Sequence, residues 1–415
     1  VAGRRALVPQ LSGGSAGGAG GGAGAGIGGG AGIGGGASIG GGAGTSGGAS
    51  SREGAAAGAA GPRPPRSPRG TARVVRGGAV LLAAAALVLV LLAPDRLGLA
   101  DRTPFAQLVA LRGLVAVLLV GAAVLLLGVV AGWDRVAHRS GLRRPGRRLP
   151  LLLAVVLALG GAAQAGVVAG RGVAGSGPGT PAADELVVLA FNTFGVVPAD
   201  DLVALVRQQD ADVVVLAETS ARTARATARA LTDAGRPTTA LAADAAGTRV
   251  DGVALLLRDG LGAYTQSTTG LPATELGTFA AVRAPGTAGG TDGPPVVVAA
   301  HTRAPSAEGA MPDWRAHTAD LAAVCRATPG VIVAGDLNST LDHPGLRDLG
   351  PCVDAAAATG AAGLGTWPAD VPRVLAAPID HVLVDGRTWR VTGFGVLPGV
   401  GGSDHRPVVA HLARR

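Results

Sequence analysis

A chain of 415 residues with 70 glycines and 48% apolar residues is long enough for several domains and too uneven to be one globule. Its formal charge of +8 comes from the front: residues 1–183 hold 18 Arg against 4 acids, and residues 184–415 hold 18 Arg against 24 acids. The rear part is therefore net −6, which excludes a global basic field that would draw in a polyanion.

Taken in chain order, residues 12–61 are Gly, Ala and Ser with little else, a composition that cannot bury enough apolar surface to offset its ordering entropy, and the segment 1–76 is predicted to be disordered. The sequence opens on Val1, as a chain with an alternative start codon or a fragment would. Three apolar runs follow, at 77–93, 113–133 and 149–170, each close to the ~20 residues that cross a hydrocarbon core. The second run could also start at Phe105, with Arg112 then inside it. Buried helices of a large soluble protein are the rival reading, but the three runs cluster without amphipathic partners. A cleaved signal peptide fits the first run poorly, since a long segment precedes it and two more runs follow.

Orientation is read from the arginines. Arg63, Arg66, Arg69, Arg73 and Arg76 precede the first run, and Arg135, Arg139, Arg143, Arg144, Arg147 and Arg148 fill the second loop, whereas the first loop, "PDRLGLADRT", is neutral. By the positive-inside rule the N-terminus and second loop are cytoplasmic, and three crossings place everything after Arg171 outside the cell. The second-loop arginines could also meet anionic lipid headgroups.

A linker at 171–183 leads to a domain at 184–415, large enough for a sizeable core. Its apolar runs, "ELVVLAFN", "DVVVLAE", "GVALLLR", "PVVVAAH", "GVIVAGD" and "IDHVLVDG", alternate with helical stretches at 199–209, 221–234 and 313–328. Strands buried on both faces and interleaved with helices predict a layered α/β architecture. Cys325 and Cys352 both fall in this domain, where a disulfide would persist outside the cell and would brace "GDLNST"; two buried thiols fit equally.

Polar residues stand at the ends of these strands. The runs end at Asn192, Glu218, His301 and Asp336 with Asn338; "IDHVLV" starts at Asp380, and "GSDHRPVVAHL" opens its strand with Ser403, Asp404, His405 and Arg406. Each alone reads as a turn former or helix cap. Gathered on one rim, the carboxylates would repel unless a cation or proton neutralised them. Oxygen ligands without a zinc-spaced Cys/His cluster suit Mg²⁺ or Mn²⁺, with Ca²⁺ possible, and Mg²⁺ held by few carboxylates implies a phosphate-ester substrate. Residues two apart on a strand share a face, so Asp336 and Asn338 are expected to address one phosphate if the strand persists through Leu337, which then points into the core. Arg303 and Arg406 adjoin these residues and could bind phosphate or form surface ion pairs. Trp367 is expected to pack over the core rather than to serve a substrate loop, and His317, His343, His381 and His411 are assigned structural places.

The ordered set "FNTFG", "LAETS", "HTRAPS", "AGDLNST", "IDHVLV" and "GSDHRPV", over residues 186–412, resembles the endonuclease/exonuclease/phosphatase superfamily. The resemblance implies a four-layer α/β sandwich of two packed, mainly antiparallel sheets flanked by helices, and metal-dependent hydrolysis of phosphate esters. It implies Glu218 as principal metal ligand with Asn192 and Asp404 completing the site. Asp336 would orient or deprotonate the attacking water, Asn338 would hold a phosphate oxygen, and His405, oriented by Asp380, would contact the phosphoryl group or move a proton. His301 would stabilise the phosphate or leaving group, and its "HT" setting looks more like the lipid and phosphatase branches than the abasic-site nucleases. The sequence departs from the common pattern in "LAET" and "GDLN", neither at a ligand position.

The sequence thus predicts a multi-pass membrane protein with an extracytoplasmic metal-dependent phosphoesterase domain and a lipid or small-molecule ester as substrate. A nuclease is disfavoured by the negative charge and the scarcity of aromatics for stacking. A non-catalytic membrane binding module is the rival from another class.

Overall fold

The computed structural model describes residues 68–142, 146–174, 177–247, 249–272, 274–283 and 295–415. Of the segment 1–76 predicted to be disordered, residues 1–67 lie outside them, and the expectation fails for 68–76, which form the first turns of a helix that continues into the first apolar run. Four helices come first: α1 (Pro68–Leu92), the short α2 (Phe105–Ala110), α3 (Arg112–Ser140) and α4 (Arg148–Gly170). Three are long and apolar enough to cross a membrane, over Ala72–Leu92, Arg112–Ser140 and Arg148–Gly170, at mean hydropathy 2.4, 3.0 and 2.2. They outrun the apolar stretches because helical hydrogen bonding continues into flanking turns where hydropathy has already fallen. The second span does not start at Phe105: Leu111, at φ −106° and ψ 38°, breaks the helix, so α2 is separate and Arg112 opens α3.

Glycine lets the candidate spans approach one another. A Cβ on Gly160 would meet Val88 Cγ1 at 2.7 Å, and one on Gly161 would meet Val120 Cγ2 at 2.7 Å, the small-residue contact on which helix packing in membranes depends. At one end of the bundle Arg73, Arg76, Arg147 and Arg148 line a common cavity. At the other, Arg112 is buried and forms a hub. Its Nε donates to Asp342 Oδ2 at 2.7 Å, and its Nη1 donates to Gln164 Oε1 at 2.7 Å and to Leu92 O at 3.2 Å. Gln164 Nε2 donates in turn to Leu91 O at 2.7 Å, and Arg171 also pairs with Asp342.

Asp342 belongs to a β-sandwich of twelve strands: β1 (Leu186–Asn192), β2 (Val213–Ala217), β3 (Thr238–Ala243), β4 (Val253–Arg258), β5 (Tyr264–Ser267), β6 (Phe279–Arg283), β7 (Val297–His301), β8 (Ile332–Asp336), β9 (Cys352–Asp354), β10 (Asp380–Asp385), β11 (Trp389–Val396) and β12 (Val408–Arg414). One sheet runs β11-β12-β1-β2-β4-β3 and the other β5-β6-β7-β8-β10-β9. Among the described residues only β1 with β2 and β7 with β8 pair in parallel. Helices α5 (Ala199–Gln209) and α6 (Ala221–Asp233) cover the first sheet, and α7 (Met311–Ala327) covers the second. This is the layered α/β architecture that the alternating runs predict, in the four-layer form that the resemblance implies.

The period of two explains why the strands read as unbroken apolar runs. In β1, Val188 and Ala190 face the core between the sheets, with Ile332 and Ala334 of β8, while Val187, Leu189 and Phe191 face α5 and α6. In β8, Val333 faces α7 and packs with Leu337 and Leu321. Both faces are dry, so neither carries a polar alternation. Cys325 of α7 and Cys352 of β9 form a disulfide with Cα atoms 5.6 Å apart, closing the loop that contains "GDLNST".

Candidate active site

Strand register gathers the polar ends. Asp336, the last residue of β8, is paired with His301 of β7 on one side and with Asp380 of β10 on the other. In the facing sheet Asn192 ends β1 opposite Ala217, the residue before Glu218. Glu218 itself is at φ 50°, a left-handed conformation that costs a non-glycine residue energy. The amide of Gly195 and the Thr193 hydroxyl donate to Glu218 O at 3.0 and 2.7 Å and hold that turn.

The two sheets meet through Asn192, whose Nδ2 donates to Glu218 Oε1 and to Asp336 Oδ2, both at 3.0 Å. His301 Nε2 lies 3.8 Å from each of those carboxylates. His405 Nδ1 bonds Asp380 Oδ2 at 2.8 Å, and its Nε2 lies 3.8 Å from Asp336 Oδ2. The Ser403 hydroxyl donates to Asn192 O at 2.7 Å and accepts from the His405 amide at 3.0 Å, tying the segment before β12 to the end of β1. Glu218, His301, Asp336, Asn338, Asp404 and His405 line one cleft of about 590 Å³, within the range of small-molecule sites. Asn192 and Asp380 stand behind that lining, joined to it by the bonds above. All eight residues singled out in the sequence are therefore brought together.

Three sequence expectations need correction. Strand geometry does not persist through Leu337: β8 ends at Asp336, and Asn338 is at φ 43°. Its amide donates to Asp336 Oδ1 at 2.8 Å, a tight turn that still leaves both side chains in the cleft, with Leu337 in the core as expected. The last strand starts at Val408, because Ser403–Arg406 is a loop fixed by Ser403. Trp367 does not pack over the core. It is 37% exposed at the cleft, and its indole donates to Asp404 Oδ2 at 2.9 Å.

The arginines and remaining histidines are accounted for structurally. Arg303 lines the cleft and pairs with Glu275, and Arg406 donates to Pro368 O, Ala369 O and Val371 O, shaping the loop that carries Trp367. His317 Nδ1 accepts from the Arg303 amide, His381 pairs with Asp354, and His411 faces Glu185. His343 bonds Ala106 O of α2 at 3.0 Å, and burial pushes its pKa down to about 4.

Charge in the cleft is poorly solvated. Burial raises the Glu218 carboxyl above its usual range, against the Asn192 hydrogen bond, and burial with the nearby Asp380 raises Asp336. Burial also lowers His301. For His405 burial opposes protonation, but Asp380 and Asp336 outweigh it and lift its pKa to about 10. Its contribution to stability is then complete below about pH 6.5 and is lost as pH rises through about 10. In the metal-free chain an NMR titration should place the His405 imidazole near pH 10, and Asp380→Asn should bring it down toward its ordinary ~6.5. A midpoint near 6.5 in the unmutated chain would refute this ion pair.

The donor set fits a hard cation. Asp336, Asp380 and His405 each place a potential ligand atom within 4.8 Å of the others, and with His405 held protonated the two carboxylates are the donors left for a cation. Asp380 Oδ1 and Asp404 Oδ1 are buried and accept no hydrogen bond among the described residues, an arrangement costly for bare carboxylates and natural beside a divalent ion. The sequence assigns no role at the site to Phe194 or, from α2, to Gln107, and it names Ser403 without the tie to Asn192 O that fixes it here. Nothing in the sequence links α2 to the site.

Comparison with known proteins gives a match between residues 189–405 and the model of the Endonuclease/Exonuclease/phosphatase family. Among solved structures, similarity is found to an endonuclease/exonuclease/phosphatase from Beutenbergia cavernae at 18% identity, covering 56% of this chain and 72% of that one, with TM-score 0.42. D. rerio TDP2 complexed with single strand DNA product matches at 14%, over 55% and 98%, with TM-score 0.41. The human Nocturnin catalytic domain with bound sulfate matches at 14%, over 57% and 96%, with TM-score 0.40. No curated protein matches.

Proposed function

The chain belongs to the endonuclease/exonuclease/phosphatase family, divalent-metal-dependent hydrolases of phosphoester bonds, and we propose that it is a membrane-anchored phosphoesterase whose domain at 184–415 acts outside the cytoplasm on a lipid or small-molecule phosphate ester. The observation that carries this reading is the convergence of Asn192, Glu218, His301, Asp336, Asn338, Asp380, Asp404 and His405 on one cleft, with two buried carboxylate oxygens lacking donors.

In this proposal Glu218, Asn192 and Asp404 would hold the cation, Mg²⁺ or Mn²⁺ by its oxygen donors, and the Asp336 and Asp380 carboxylates, which belong to the candidate metal group, would add oxygen donors. The ion supplies charge neutralisation for the phosphoryl group when bound. Asp336 orients the attacking water and takes its proton. Asn338, with its Nδ2 on Thr302 O at 3.0 Å, is placed to turn toward a phosphate oxygen. His405, held protonated by Asp380, presents Nε2–H to the cleft and serves as donor to a phosphoryl oxygen rather than as base. His301 has an uncharged ring at neutral pH and contacts the leaving-group side.

The orientation rests on the arginines: Arg73, Arg76, Arg147 and Arg148 gather at the end of the spans opposite Arg112 and Asp342, and arginine-rich ends favour the cytoplasm. The net charge of −6 over residues 184–415 supports a small ester over nucleic acid. The test is a panel of phospholipids, sugar phosphates, DNA and RNA offered to the full chain in nanodiscs, with and without EDTA. Chelator-sensitive release of phosphate or phosphomonoester from a lipid or small ester is expected. Turnover of DNA or RNA alone would move the substrate to nucleic acid, and bound metal without any turnover would point to a binding module.

A further inference from the structure

Part of the cleft wall comes from the membrane anchor. Gln107 and Ala110 of α2 and Leu111, the residue before the spanning helix α3, line it together with the carboxylates. The contact is built rather than incidental. Ala106 is fully buried against Met311 and Trp314 of α7, Gln107 Nε2 donates to Pro305 O, and His343 bonds Ala106 O. Trp314 passes the contact on to the site, since its indole donates to Asn338 O at 3.0 Å and Ser339 Oγ at 2.8 Å. A Cβ on Gly113 of α3 would stand 1.8 Å from Val374 O, so the spanning helix starts in direct backbone contact with the loop that follows Trp367.

Away from the carboxylates the cleft is mixed, with Gln107, Arg303 and Ser306 on its wall, but it carries an apolar surface: Ala110, Leu111, Leu276 and Ile379 lie there, and Phe194 and Trp367 stand at its rim, 51% and 37% exposed. Phe194 is held there at φ 53°, with its amide donating to Asn192 Oδ1 at 2.9 Å. A bulky residue kept exposed in a strained conformation beside a polar site is poor for stability and suited to a ligand. A phosphate alone would use only the polar end. The apolar surface fits a chain of methylenes, and it opens within one residue of a candidate membrane span.

We propose that α2 and Leu111, facing Phe194 and Trp367, form a subsite for the aliphatic portion of the substrate, so that the enzyme selects phosphate esters of apolar, chain-bearing alcohols. This rests on the phosphoesterase reading for the position of the phosphate, but the subsite can be tested without turnover. The full chain in nanodiscs with Mg²⁺ is titrated calorimetrically with hexylphosphonate and with methylphosphonate, whose C–P bonds resist hydrolysis. Hexylphosphonate is expected to bind about 10-fold tighter or more, because its added methylenes leave water. Ala110→Trp should collapse that ratio toward one, and Leu111→Asn serves the same purpose if the first variant fails to fold. Val124→Trp, on the outward face of α3, should keep it. Equal binding of the two phosphonates by the unmutated chain, or a ratio untouched by both cleft variants, overturns the subsite. A preserved ratio in a protein that hydrolyses nothing would sink the hydrolase reading and leave the subsite standing.

Discussion

Asp336→Asn is expected to lower chelator-sensitive turnover by about 10³-fold or more while the protein still melts cooperatively. Asp336 is the junction of the cleft: it accepts from Asn192 and from the Asn338 amide, and it lies 3.8 Å from the Nε2 atoms of both His301 and His405. An amide of the same shape can still accept from the Asn338 amide, so the turn survives, but it can neither take a proton from water nor counter the charge on His405. The larger truncation Asp336→Ala, and His405→Ala on the opposite side, should be at least as damaging.

A second readout separates chemistry from folding. Burial and Asp380 hold the Asp336 carboxyl above its usual range, so in the metal-free protein its ionisation opposes folding. That cost is absent below about pH 4 and appears as pH rises through the raised value. Asp336→Asn should flatten this acid-to-neutral decline in melting temperature. A variant that kept more than about a tenth of the turnover would reduce Asp336 to a structural residue.

Much of this site was legible because strand ends are a sequence property. A run such as "VIVAGD" announces where a buried strand stops, and antiparallel and parallel registers at β7, β8 and β10 then force His301, Asp336 and Asp380 side by side. What the sequence hid depends on long-range packing. Asn338 reaches the cleft through a left-handed turn that the strand period does not predict. Trp367 looks like any core aromatic until Arg406, by binding three carbonyls of its loop, turns it outward to Asp404. The contribution of α2 was the least visible, since Phe105–Ala110 reads as the start of an apolar span and only the break at Leu111 turns it onto the sandwich.

Arg112→Met is the variant expected to cost the most stability. Arg112, 5% exposed, opens α3 and satisfies acceptors on two other helices, Leu92 O of α1 and Gln164 Oε1 of α4, and on Asp342 at once. Removing one partner of a buried pair leaves the others desolvated, at about 3–5 kcal/mol. Arg171 still reaches Asp342, which moderates the loss on that side but does nothing for Gln164 Oε1. Asp342 lies four residues beyond Asn338, and α2 ends just before Arg112, so loosening this hub should loosen the cleft wall as well as the anchor. Thermal unfolding in nanodiscs should show a clear drop for Arg112→Met and a smaller one for Asp342→Asn. The double variant should lose less than the two together, with a coupling of about 1–3 kcal/mol. Strict additivity would mean that the ion pair holds nothing, and that the apolar helices are joined to the sandwich by their other contacts, such as α2 packing on Met311 and Trp314 and the Ala106 O bond to His343.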